Sequence, residues 1–157
     1  MNRSISLASR IREVYIDGKW IANTNYKEQL ESISWPQVNE KISHLNSIAV
    51  LTFHINYYLE GLLQVLNGGN LEISDQYSFD MPQLNNEKDW IKIKNQFLSN
   101  AFKFSEKIEQ LDDTIFDQSF VDEKYGTYLR NIEAVIEHSY YHLGQIVLIK
   151  KMLLHQQ

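Results

Sequence analysis

The sequence predicts an all-α fold, a four-helix bundle. Three observations carry that reading. Apolar residues recur at helical rather than alternating spacing over most of the chain. Only two prolines and six glycines interrupt 157 residues. Four long periodic runs are set apart by breaker-rich connections, and four amphipathic helices in one chain bury their apolar stripes against one another. A chain of this length suits one core. No repeat, low-complexity tract or linker marks a boundary, so a single domain over residues 1–157 is expected.

The first helix is expected from Ser4 to Tyr15, with Ile5, Leu7, Ile11 and Val14 on its apolar side. Asp17-Gly18 reads as a turn. Asn23 or Thr24 can cap a short helix over Tyr26–Ile33. Ser34-Trp35-Pro36-Gln37 opens the second long helix, with Ser34 as N-cap, Gln37 at the capping-box position and Pro36 in the first turn. Its pattern runs through Val38, Ile42, Leu45, Ala49, Leu51, Phe53, Tyr57, Leu59, Leu62 and Val65, about thirty residues and so about 45 Å. Asn67-Gly68-Gly69-Asn70 ends it. Residues 70–85 carry no clear period and include Pro82. The third helix starts near Asn86 and continues through Trp90, Ile93, Phe97, Ala101, Phe104 and Ile108 to about Leu111. Thr127 caps a fourth helix that runs towards the C-terminus, where Lys150 and Lys151 suit the negative end of the helix dipole.

Connection length bears on direction. Antiparallel neighbours usually need only about 2–8 residues. The stretch Gly68–Asn85 holds 18 residues and can extend to about 60 Å. Helices 2 and 3 are therefore expected to be parallel, joined by a long crossover.

Composition excludes several functions. There is no cysteine, hence no disulfide framework, thiolate metal site or Cys nucleophile. A net charge of −5 argues against a nucleic-acid partner bound through a basic surface. No apolar run approaches the ~20 residues that span a bilayer. Arg3, Arg10, Arg12 and Glu13 break up the N-terminal segment, which lacks the apolar stretch of a signal peptide. A soluble, cytoplasmic protein with no membrane partner is the expectation. No glycine-rich phosphate loop and no hydrolytic triad is legible.

The informative side chains are histidines. His138-Ser-Tyr-Tyr-His142 sets two imidazoles one turn apart on one helix face. Continued in both directions, that face reads Ala134, His138, His142, Gln145, Ile149 and Met152, an inward stripe. His54 lies on another apolar stripe, with Ser47, Val50 or Leu51, Tyr58 or Gly61, and Val65. A lone histidine there would be read as a packed core residue. Three buried imidazoles without a carboxylate on their stripes need a partner, because an unpartnered buried polar group costs about 1–3 kcal/mol. One divalent cation would satisfy all three. His44 and His155 are read as surface residues. Glu60, Glu133 and Glu137 are expected to face solvent, and Asp112-Asp113 and Asp122-Glu123 to be solvated loop charges.

Two segments resemble a known family: Asn46-Ser-Ile-Ala-Val-Leu-Thr-Phe-His54-Ile-Asn-Tyr-Tyr58, and Ile136-Glu-His138-Ser-Tyr-Tyr-His142-Leu-Gly-Gln-Ile146. In these, and in helix order and spacing along nearly the whole chain, the protein resembles the DinB/YfiT-like superfamily of metalloenzymes. The resemblance implies an up-down-down-up four-helix bundle. It makes His54, His138 and His142 the ligands of a divalent metal ion, zinc, nickel or iron. It also implies a homodimer. Characterised members include thiol-dependent S-transferases and isomerases, so a low-molecular-weight thiol and a small electrophilic substrate are the implied partners.

Three neutral imidazoles leave a divalent ion with at least one open position, the arrangement of a catalytic rather than a structural site. A thiol taking that position would be acidified and become a nucleophile. Water there would serve a hydrolase instead. A non-catalytic metal- or ligand-binding bundle is the reading of a different class. Tyr58 and Gln145, one turn beyond His54 and His142, are candidates for supporting the ligands or touching substrate.

Overall fold

Short polar side chains mark where the helices begin. Asn2, Asn25, Ser47 and Asn86 each accept a backbone N–H of the turn that follows. Thr127 does the same for Arg130. The computed structural model describes residues 2–155, with six α-helices among them: α1 (Arg3–Tyr15), α2 (Tyr26–Glu31), α3 (Trp35–Asn39), α4 (Ile48–Leu66), α5 (Glu87–Glu109) and α6 (Tyr128–His155). No strand occurs among the described residues beyond an isolated bridge between Ser119 and Thr127. The fold is all-α, as expected. No helix among the described residues is long and apolar enough to cross a membrane.

Several expectations need correction. The thirty-residue second helix is two helices. α3 ends at Asn39, and α4 starts only at Ile48 behind the Ser47 cap. Leu45 of the supposed stripe is exposed, and Ser43 has a φ of +52°, a left-handed backbone that an α-helix does not accommodate. At 19 residues, α4 is about 28 Å long. The cap of α2 is Asn25, not Asn23 or Thr24; Thr24 Oγ1 instead accepts from Gln29 Nε2 at 2.8 Å. Ile5 is exposed, so the buried face of α1 is Leu7, Ala8, Ile11 and Val14. Asp113 is not a free loop charge: its two carboxylate oxygens accept the Arg3 and Ser4 N–H groups at 3.0 and 3.1 Å, where the positive end of α1 favours an anion. Lys150 reaches sideways rather than along its own helix, donating to Gln29 O and Ser32 Oγ and tying α2 to α6.

The other end of α4 is as the sequence suggests. Gly68 has a φ of +89°, and the Gly68 and Gly69 N–H groups donate to Val65 O and Gln64 O at 2.9 Å. Those paired bonds close the helix around a residue without a Cβ. Further back, Gly61 makes room for the following segment. A Cβ there would fall 2.5 Å from Ile73 Cγ2.

The four long helices share one core, with α1 on α5 and α6, and α4 on α5 and α6. Arg3 at the start of α1 pairs with Asp117 beyond the end of α5, while Tyr15 at its other end packs on Phe97. Arg10 pairs with Glu133, and Tyr140 donates to Glu13. Asn100 of α5 donates to Asn56 of α4 at 2.9 Å.

Candidate metal centre

Helical spacing brings the three histidines together. His138 and His142 lie one turn apart on α6, and His54 faces them from α4. Their ring nitrogens all fall within 4.8 Å of one another, a group that can hold a metal ion. His138 Nε2 lies 3.2 Å from His54 Nε2 and 2.8 Å from His142 Nε2. His54 and His142 are buried, at 4% and 5% exposure. His138 is only half-buried, so the stripe is less deep at that point than the sequence suggests.

The outer nitrogens decide what the inner ones offer. His54 Nδ1 lies 3.3 Å from Ser78 O, and His142 Nδ1 lies 2.6 Å from Gln145 Oε1. A carbonyl oxygen only accepts, so each Nδ1 carries the proton. Both Nε2 atoms then present lone pairs to the middle. His138 Nε2 has one position for a proton and two neighbours that only accept, so hydrogen bonding alone leaves the cluster incomplete. A divalent cation would complete it. Nitrogens bound tetrahedrally at about 2.05 Å lie about 3.3 Å apart, close to the 3.2 Å between His54 and His138 and wider than the 2.8 Å between His138 and His142.

The imidazoles are held neutral, as ligation requires. Burial drives His54 down to about 4, helped by the charges that His142 and His138 would carry. Burial and His142 lower His138 to about 4 as well. His142 is lowered by burial against the opposing Gln145 hydrogen bond.

Both supporting candidates touch the cluster. Gln145 orients His142, as above. The Tyr58 ring stands edge-on to His54 and His138, with centroids 5.2 and 5.4 Å away, and its hydroxyl donates to Asp75 Oδ1 at 2.9 Å. His44 and His155 are exposed and stand apart, as expected. Glu137 pairs with Arg130, Glu133 with Arg10, and Glu60 is exposed.

Sequence reasoning missed three residues. Ser78 supplies the carbonyl for His54, Phe79 stacks flat on the His54 ring at 3.9 Å, and Asp75 holds Tyr58. All lie in the aperiodic stretch 70–85, where spacing carries no information; the only cue is an aromatic pair, Tyr77 and Phe79, in a polar loop. Two clefts reach residues that support the cluster, though none of the three histidines lines either. One of about 510 Å³ is walled by Tyr58, Asp75, Phe120 and Tyr125. The other, about 320 Å³, is walled by Gln145, Leu51, Leu45 and Leu148.

No family model, no curated protein and no solved structure matches this chain.

Proposed function

We propose that this protein is a divalent-metal-dependent enzyme of the DinB/YfiT-like type, a cytoplasmic thiol S-transferase. The observation that carries the reading is the convergence of three neutral imidazoles, two of which, His54 and His142, have their outer nitrogens already engaged. The proposed topology is an up-down-down-up bundle with residues 68–85 as the crossover. Residue pairings support it. Arg3 beside Asp117 and Tyr15 beside Phe97 suit antiparallel α1 and α5. A cavity wall shared by Phe53 and Ile93, then the Asn56–Asn100 bond, suit parallel α4 and α5.

His54, His138 and His142 would hold zinc, nickel or iron. Bound there, the ion supplies a positive centre that acidifies a thiol or water beside it. The chain's own residues do the rest. Ser78 and Gln145 fix the tautomers and ring planes of His54 and His142. Phe79 shields one face of His54 from water. Asp75, whose carboxylate accepts from the Tyr58 hydroxyl, would receive the thiol proton. The sulfur lone pair then forms a C–S bond to an electrophilic carbon as the bond to the leaving group breaks, its electrons departing with that group. The clefts at Tyr58 and Gln145 have room for a small thiol and a small electrophile. A homodimer belongs to the same proposal, supported by the exposed Tyr141 and Leu148, two turns apart on α6.

The test is metal analysis of purified protein, then a thiol-conjugation screen with and without metal. His142→Ala should weaken metal binding by more than about 100-fold and abolish conjugation while helical content is kept. Equal conjugation by folded, metal-free His142→Ala would rule out the mechanism. Failure of metal-loaded wild type against a broad panel of thiols and electrophiles would move a hydrolytic or non-catalytic role ahead.

A further inference from the structure

A further cavity lies on another face of α4. It holds about 380 Å³ between α4, the N-terminal half of α5 and residues 82–85, within the range of small-molecule sites. Its walls are mainly apolar, from Phe53, Pro82, Leu84 and Ile93. Asn56 also lines it, and two residues of helix turn it about 200° away from His54. The cavity is therefore separate from the imidazole cluster.

Asn56 is the unusual group. The residue is 8% exposed. Its Oδ1 accepts from Asn100 Nδ2 at 2.9 Å, and Asn100 Oδ1 accepts in turn from Gln96 Nε2 at 3.0 Å. In this arrangement the Asn56 oxygen faces Asn100 and its NH₂ is left over. Asn56 Nδ2 has no partner among the described residues. No fully buried side-chain nitrogen or oxygen there goes unpartnered, so the NH₂ opens onto the cavity that Asn56 lines. Lys92 stands at the mouth, in no ion pair among the described residues. The other charge on the wall, Asp89, is engaged through Oδ2 by Asn85 N and Asn86 Nδ2. The cavity thus offers an apolar body, one fixed deep donor and a cation at the rim.

We propose that this cavity binds a small, largely apolar molecule that presents a carbonyl or carboxylate oxygen to Asn56. An acceptor on the ligand completes the amide chain, and the apolar remainder lies against Phe53, Leu84 and Ile93. A ligand with only donors leaves Asn56 unanswered and meets Lys92 unfavourably.

The test uses the full ¹⁵N-labelled chain and follows the Asn56 side-chain NH₂ resonance. Octanoate and 2-octanone are titrated separately, with octylamine as the donor-only control. Saturable shifts of that resonance with octanoate or 2-octanone, and none with octylamine, are the expected result. Ile93→Trp, which fills the cavity, should weaken binding at least about tenfold with helical content intact. If that variant loses helicity, Phe53→Trp replaces it. Lys92→Met separates the two acceptor classes. It should weaken octanoate about two- to fivefold and leave 2-octanone unchanged if the site takes carboxylates; octanoate affinity unchanged from wild type assigns the site to neutral carbonyls. The proposal is overturned if neither acceptor probe saturates, if octylamine binds as tightly, or if the filled variant keeps wild-type affinity.

Discussion

His138 and Ser139 are neighbours on α6, yet they belong to regions that treat buried polar groups in opposite ways. Around Ser139, every donor has an acceptor. The Tyr15 hydroxyl meets Ser139 Oγ, and the Tyr26 hydroxyl donates to Ser139 O at 2.7 Å. The two rings stack at 5.3 Å, and Phe97 meets both edge-on at 5.6 and 5.2 Å. Burial pushes both phenols up, so they stay protonated and keep donating. Around His138 the inventory does not balance, because ring nitrogens with lone pairs face one another. His54 and His142 are nearly as buried as Ser139, although His138 is only half-buried, so burial alone does not separate structure from function here. What separates them is whether the polar groups close on themselves.

Removing the centre of the closed region should have the largest effect on stability. Phe97 is fully buried between Tyr15 and Tyr26. Phe97→Ala should cost about 3–5 kcal/mol in urea unfolding, while the folded fraction binds metal with wild-type affinity. A matching collapse of metal affinity would mean the two regions are one unit. The converse experiment loosens the open region. Gln145→Leu removes the acceptor that pins the His142 tautomer. Metal affinity should fall about 10–100-fold, with little change in stability. Gln145→Glu keeps an acceptor and should restore most of the affinity. If Gln145→Leu binds metal as wild type does, the tautomer argument fails.

The two regions were not equally legible in the sequence. The i,i+4 histidines and the stripe beneath them could be read because helix geometry alone places them. The long helices and most of their starts follow from the same period and from short polar caps. The break at residues 40–47 escaped because Ile42 and Leu45 kept the apolar rhythm alive; the cue was Ser43, Asn46 and Ser47, which favour turns and caps over helix interiors. The residues around His54 escaped for a different reason. Ser78 contributes a backbone carbonyl and Phe79 a ring face, and neither depends on a sequence spacing. The Tyr15–Ser139 and Tyr26–Ser139 contacts join positions more than a hundred residues apart, which no local pattern encodes.

A milder change tests the closed network itself. Tyr15→Phe removes one hydroxyl from Ser139 and leaves the ring stack in place. A loss of about 1 kcal/mol is expected, measured by denaturant midpoint at constant slope, with metal affinity unchanged. A neutral result would mean that ring packing, not the hydroxyl, holds α1 to α6.

The smallest effect is a pH dependence that belongs to the open region alone. In metal-free protein, His54 and His138 hold off protonation until about pH 4, whereas unfolded histidine takes its proton near 6.5. Between those values the unfolded chain binds more protons, so stability rises with pH through the window. The contribution is complete above about pH 6.5 and disappears as pH falls to about 4. It is modest because the rings keep some contact with water, and the nearby charge of Asp75 opposes the shift in both. Carboxylates such as Asp117 and Asp122, held below their usual range by Arg3 and by the Lys124 N–H respectively, lose their own contributions towards the acid end. The histidine part is therefore read as a difference. Unfolding of wild type and of His54→Gln/His138→Gln is compared from about pH 7.5 to about pH 4. The wild type should lose more stability across the window, and Tyr15→Phe, on the closed side, should follow the wild-type slope. Parallel curves for wild type and the double variant would mean that the imidazoles protonate alike in the folded and unfolded chain. The open region would then not be the neutral, lone-pair-bearing cluster described here.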